Sequence, residues 1–170
     1  MKGGSPMIIT IGRTCGSGGD EIAQRLAQRL DIPLHVADLQ TLSEPERLEA
    51  IVHWAQQGAC VIVGFCADHV LAGTPGLIRV FLHSTLERRV ARLVKEQKLS
   101  AENARRWLLS QDREQAMVYG FHTKAKWTDA SRYDLVVDCG PLGTAGTVEL
   151  LCQFVALKVM KNRPGGGSYG

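Results

Sequence analysis

Hydrophobic and polar positions alternate along this chain in a strand–helix rhythm. Met7–Ile11 is a nearly continuous apolar run of strand length, and Asp20–Leu30 places Ile22, Ala23, Leu26, Ala27 and Leu30 on one helical face. Ile32–Val36 reads as a weaker strand entered through Pro33. Ser43-Glu44-Pro45-Glu46 has the spacing of a capping box with proline in the first turn, so a helix is expected to start there, run through Leu48, Ile51, Val52 and Ala55, and stop at Gly58. Cys60–Val63 and Leu77–His83 are apolar runs of the kind buried on both faces of a parallel sheet. Thr85–Gln97 is helical by periodicity, and Ser100 caps a further helix towards Tyr119. Phe121–Ser131 reads as a loop, Tyr133–Asp138 as a last strand and Thr144–Met160 as a closing helix.

This order predicts a three-layer α/β/α domain on a mainly parallel five-stranded sheet with right-handed crossovers. One domain is expected over residues 7–160, with a lid-like region at about 98–128 and flexible termini at 1–6 and 161–170. Ligands in such sheets bind beyond the carboxyl ends of the strands, so Gly12–Gly19, Gly64–Asp68, His83–Ser84 and Cys139–Gly140 should share one rim. The strand order does not follow from these patterns.

Composition narrows the class without naming a function. The chain has 170 residues, 45% hydrophobic and 22% charged, with a formal charge of +3. That charge is too small to imply nucleic acid, and it suits a nucleotide or another small anionic ligand. The five cysteines are scattered and form no C-x-x-C, which points to reduced thiols and a cytoplasmic setting. No apolar run of bilayer-spanning length is apparent, and no membrane association is expected. His35, His53 and His69 lack metal-site spacing.

The chemistry concentrates in Gly12-Arg13-Thr14-Cys15-Gly16-Ser17-Gly18-Gly19-Asp20, between the first strand and the first helix. Backbone N–H groups there, with the helix dipole, suit a phosphate. A Walker A motif would place Lys and Ser/Thr where Gly19 and Asp20 stand. A ligand-free tight turn is the plainer reading of the same residues. Arg13 is a candidate substitute cation or an exposed loop arginine, and Cys15 is expected to be a packed, unreactive thiol. Asp68 is either a cap on the turn Ala67–Leu71 or a ligand-binding carboxylate. Arg88, Arg89 and Arg92 read as a solvated helix face.

Together, IITIGRTCGSGGDEIAQRLAQRL, GACVIVGFCADHVL, LIRVFLHSTLERRVARL and the stretch from Gln111 to Gly143 resemble the cytidylate kinase-like family of P-loop nucleoside monophosphate kinases. The resemblance covers most of residues 7–155 in the family's order. It implies transfer of the ATP γ-phosphoryl group, with Mg2+, to a nucleoside monophosphate such as CMP. By position, Gly16, Ser17, Gly18 and Gly19 would cradle the donor phosphates, Arg113 and Arg13 would act as catalytic cations, and Asp68, Lys124 and Lys126 would face the acceptor. The chain departs from the pattern at five places. Asp20 replaces a frequent basic residue, Phe65 stands for the Arg of a GRCAD-like segment, Gln115 for a lid Arg, Val36 for an Asp after the second strand, and Asp38–Ser43 is short. These departures leave two alternatives open. One is a catalytically degenerate module that binds nucleotide or a protein partner; the other is a kinase for another small acceptor. Homodimerisation, activity and acceptor identity stay open.

Overall fold

The computed structural model describes residues 6–37, 42–64 and 66–161. Phe65, most of the Asp38–Ser43 connection and the tail beyond 161 lie outside the described residues. The elements run β1 (Ile8–Arg13), α1 (Gly19–Leu30), β2 (Leu34–Val36), α2 (Glu44–Gln57), β3 (Cys60–Val63), α3 (Ala67–Val70), β4 (Leu77–His83), α4 (Leu86–Gln97), α5 (Ala101–Thr123), β5 (Leu135–Asp138) and α6 (Cys139–Lys161). A 3₁₀ turn, Ala130–Arg132, precedes β5.

All five strands are parallel, in the order β2-β3-β1-β4-β5. The apolar runs split between the two faces with the strand period of two. Ile9, Ile11, Val61 and Val63 join Leu26 of α1 and Leu151 of α6. Ile8, Cys60 and Ile62 join Ile51 of α2 and Leu71 on the other face. A smaller cluster, Val90, Leu93, Ala104 and Leu108, seals α4 against α5.

Local chemistry sets the element ends. Ser43 N–H donates to Glu46 Oε2 at 2.7 Å, completing the capping box of α2. Thr85 and Ser100 accept from Arg88 N–H and Asn103 N–H at the starts of α4 and α5. Lys98 and Lys124 end those helices in the left-handed region, with φ of 55° and 57°.

β2 and β5 each start two residues later than the sequence reading, at Leu34 and Leu135, and three further boundaries bear on the site. β1 extends through Gly12 and Arg13, because both pair with Phe81 and Leu82 of β4. α5 runs on to Thr123, since nothing in Gly120–Thr123 breaks a helix as firmly as the left-handed Lys124 does; the expected loop therefore starts later. α6 begins at Cys139, with a non-helical Gly143 joining two helical pieces. Contrary to expectation, α6 is also long and apolar enough, on length and composition alone, to cross a membrane. Its Thr147, Val148, Leu151 and Val155 are buried against the sheet, while Leu150, Leu157 and Met160 are exposed.

Asp134 anchors the last strand. Its carboxylate accepts from Arg79 N–H at 2.8 Å and faces Lys158 Nζ at 3.4 Å. Burial pushes this carboxyl up, but the Arg79 hydrogen bonds and the Lys158 charge outweigh it, so the pKa lies below the usual value. A carboxyl whose folded pKa is depressed stabilises the fold above its unfolded pKa of about 3.9 and loses that contribution as pH falls through the folded value. Urea unfolding across pH should therefore show Asp134→Asn less stable than the parent at pH 7, with the gap closing below about pH 4.

Candidate functional site

The glycine loop leaves β1, the central strand, and enters α1. Gly16 (φ 74°) and Gly18 (φ 89°) take left-handed conformations that side chains resist. A Cβ on Gly16 would stand 3.0 Å from Leu93 Cδ1 and 3.1 Å from Leu108 Cδ2, so the loop is seated on the α4–α5 cluster. No side chain caps α1. Of its first-turn amides Gly19 N–H donates to Ser17 Oγ, and the helix start carries the positive end of the dipole.

Two guanidiniums flank this helix start. Arg13 Nε lies 2.8 Å from Asp20 Oδ1, and a Cβ on Gly19 would fall 2.7 Å from Arg13 Cβ. Arg92 bonds Glu21 at 2.9 Å and Glu96 at 2.8 Å, and a Cβ on Gly18 would fall 3.2 Å from its Cζ. The Arg92 hydrogen bond, followed by the Arg25 charge, holds the Glu21 carboxyl below its ordinary pKa. Asp20 is 71% exposed, so its ion pair contributes only about 0.2–1 kcal/mol. Its consequence is positional, because it keeps Arg13 against the loop.

A cavity of about 270 Å³ opens on the Arg13 side. Phe81, Trp107, Trp127 and Tyr133 form its aromatic walls. Phe81 packs 5.0 Å from Tyr133 and edge-on to Trp127 at 5.5 Å. Asp68, which is buried, accepts from Tyr119 O–H at 2.7 Å, and the same hydroxyl accepts from Arg132 Nε at 2.7 Å. Burial first, then the Asp68 hydrogen bond, push the Tyr119 pKa up to about 12, so the phenol stays protonated. Burial likewise raises Tyr133 and takes the Cys66 thiol to about 12. Thr10 is 1% exposed and lines the cavity, and its hydroxyl has no hydrogen-bond partner. An unsatisfied buried hydroxyl costs about 1–3 kcal/mol.

A second, more open cleft of about 500 Å³ lies on the other side of the loop. Gly16, Ser17, Arg88, Arg92, Lys95 and Gly140 line it. Its three cations against Glu21 and Glu96 make it the more anion-attracting of the two.

These positions sort the residues expected from the sequence. Arg13 and Asp68 line the aromatic cavity, and Gly16 and Ser17 line the cationic cleft. Gly18 and Gly19 start the helix between them, with Ser17 Oγ accepting from Gly19 N–H at 3.3 Å. Asp68 does not cap α3; it holds Tyr119 instead. Arg113, Lys124 and Lys126 are exposed and line neither space. Arg113 is out of phase on α5, where Gln111, Glu114, Gln115 and Val118 face the cavity. The Lys124 ammonium instead sits 5.1 Å over the Phe121 ring.

Arg89 is not part of a solvated face. It is 6% exposed, forms a bidentate pair with Asp112 at 2.9 and 2.8 Å, and donates to Cys15 O at 3.1 Å. Burial of the Cys15 thiol outweighs Arg13 and raises its pKa, consistent with an unreactive cysteine. Sequence reasoning missed Thr10, Trp107, Tyr119 and the Arg89–Asp112 pair. The spacing Trp107, Gln111, Glu114, Val118 was a helical-face signal that could have located the α5 wall.

The sheet order, the glycine loop and the flanking clefts define a P-loop kinase fold. The chain aligns with a solved structure of an uncharacterized protein from Eubacterium ventriosum at a TM-score of 0.81 and 22% identity, covering 89% of this chain and 99% of that one. Shikimate kinase from Bacteroides thetaiotaomicron (TM-score 0.59, 13% identity, 88% and 98% covered) and a gluconokinase from Sinorhizobium meliloti (TM-score 0.59, 16%, 95% and 100%) share the fold. Residues 8–46 and 45–140 match the cytidylate kinase-like family, and the chain belongs to it. It is also 25% identical to a cytidylate kinase of Methanothrix thermoacetophila, over 91% of this chain and all of that protein.

Proposed function

We propose that this protein is a nucleoside triphosphate-dependent phosphotransferase, with ATP in the cationic cleft and a small acceptor in the aromatic cavity. The carrying observation is that one glycine loop walls both spaces, Arg13 and Cys15 on one side and Gly16 and Ser17 on the other. A γ-phosphoryl group held at the α1 amides would lie between donor and acceptor, which is the positioning that phosphoryl transfer requires. Arg92, Arg88 and Lys95 would neutralise the donor phosphates, and Arg13 the transferring group.

The donor set suits Mg2+ carried in with the triphosphate. Among the described residues no group of three ligating side chains forms a dedicated metal site, and Asp20 and Glu21 are the carboxylates in the first turn of α1. The bound ion would supply further charge neutralisation on the phosphate oxygens. A cytoplasmic location belongs to the same reading.

CMP is the acceptor suggested by likeness to the Methanothrix cytidylate kinase. The charge around the aromatic cavity favours a second reading, a kinase for another small acceptor. Among the described lining residues Arg13 is the sole lysine or arginine, against Asp68 and Glu114.

Thermal unfolding tests the donor half. ATP with Mg2+ at 100 times its dissociation constant should stabilise the fold by about 2.7 kcal/mol. No shift with any nucleoside triphosphate would sink the proposal.

A further inference from the structure

We infer that the aromatic cavity takes an unphosphorylated nucleoside bearing an exocyclic amine, whose hydroxyl is the phosphoryl acceptor. The inference rests on the proposed phosphotransferase and narrows its acceptor.

Charge is the first ground. A monophosphate entering this cavity would bring up to two negative charges to a lining whose single described Lys or Arg, Arg13, is also the cation proposed for the transferring group. Glu114 would oppose it, as would Asp68, whose charge Arg132 offsets only through the Tyr119 hydroxyl. Gln111 and Gln115, the neutral residues of the α5 wall, can hydrogen-bond a sugar hydroxyl but cannot neutralise a phosphate.

Shape and hydrogen bonding are the second. The walls are flat rings, and Trp107, which lines the cavity, is 42% exposed and leaves ring surface for a stacked base. Asp68 has given Oδ2 to Tyr119, and its other oxygen has no protein partner among the described residues. That oxygen is an acceptor suited to an amine.

The reaction balances with the donor already proposed. The nucleoside hydroxyl oxygen forms a new O–P bond to the γ-phosphorus, and the bond from that phosphorus to the bridging oxygen breaks. The nucleoside diphosphate leaves with that electron pair, and the hydroxyl proton passes to water.

Calorimetry and ADP release on the full chain with ATP and Mg2+ test the inference, using cytidine, uridine and CMP. Cytidine should bind at least about tenfold tighter than CMP and gain one phosphoryl group by mass. Trp107→Ala, an exposed site whose loss leaves the core intact, should weaken cytidine about tenfold, the scale of one lost stacking contact. Asp68→Asn, which turns an acceptor into a donor–acceptor amide, should abolish the preference for cytidine over uridine. CMP binding as tightly as cytidine, or ATP binding with no nucleoside bound, would overturn this inference and leave the phosphotransferase standing. Failure to bind ATP would overturn the phosphotransferase itself.

Discussion

Arg89→Met is expected to destabilise the protein by about 3–5 kcal/mol in chemical denaturation, because it strands Asp112 as an uncompensated, largely buried charge. Arg89 is 6% exposed and meets both carboxylate oxygens of Asp112 within 2.9 Å, so solvent screens little of the interaction. The same guanidinium holds the carbonyl of Cys15, and the loss should loosen the glycine loop as well as the α4–α5 packing. Asp112→Leu alone should cost a similar amount. The double variant Arg89→Met, Asp112→Leu should recover much of the loss, since two apolar groups leave no buried charge unpaired. A double variant as unstable as the sum of the singles would show that the pair acts through something other than mutual compensation.

Arg13→Met should lower kcat by about 100-fold while leaving ATP affinity within a few-fold. The scale is that of removing one preorganised donor from developing charge in a water-poor site, about 2.7 kcal/mol of barrier. The selectivity follows from location, since Arg13 lines the aromatic cavity proposed for the acceptor and not the cationic cleft proposed for ATP. Arg92→Met should do the reverse, raising the KM for ATP with a smaller effect on kcat. Steady-state kinetics with both substrates varied separates the two. An Arg13 variant with unchanged kcat would remove it from the transferring phosphoryl group. Asp20→Asn should sit between parent and Arg13→Met, because it frees the guanidinium without deleting it.

The sheet and the loop were legible because their signals are local. The β1 run, the glycines and the apolar stripe of α1 lie within some twenty residues, and Ser43 to Glu46 is a single turn. Strand order was not legible: placing β1 between β3 and β4 depends on pairings across tens of residues. The site divided the same way. Arg13, Gly16, Ser17 and Asp68 belong to segments that end at the sheet rim, and rim membership follows from the fold class. Arg113 follows from position in the family resemblance, and alignment position does not fix helical phase: it lines neither space, and one residue earlier Asp112 turns inward to Arg89. Arg89 itself read as solvated because burial of an arginine depends on a partner 23 positions away.

The α4–α5 hairpin has a bearing on how the two substrates would communicate. α4 contributes Arg88, Arg92 and Lys95 to one space, and α5 contributes Trp107, Glu114 and Gln115 to the other. The helices meet at the left-handed Lys98 and are clamped together by Arg89 and Asp112. With donor and acceptor bound as proposed, a ligand that shifts α4 would be expected to carry α5 with it and so reshape the wall that α5 makes. Donor and acceptor affinities would then be linked, and linkage is reciprocal: whatever factor one substrate confers on the other is returned in equal measure.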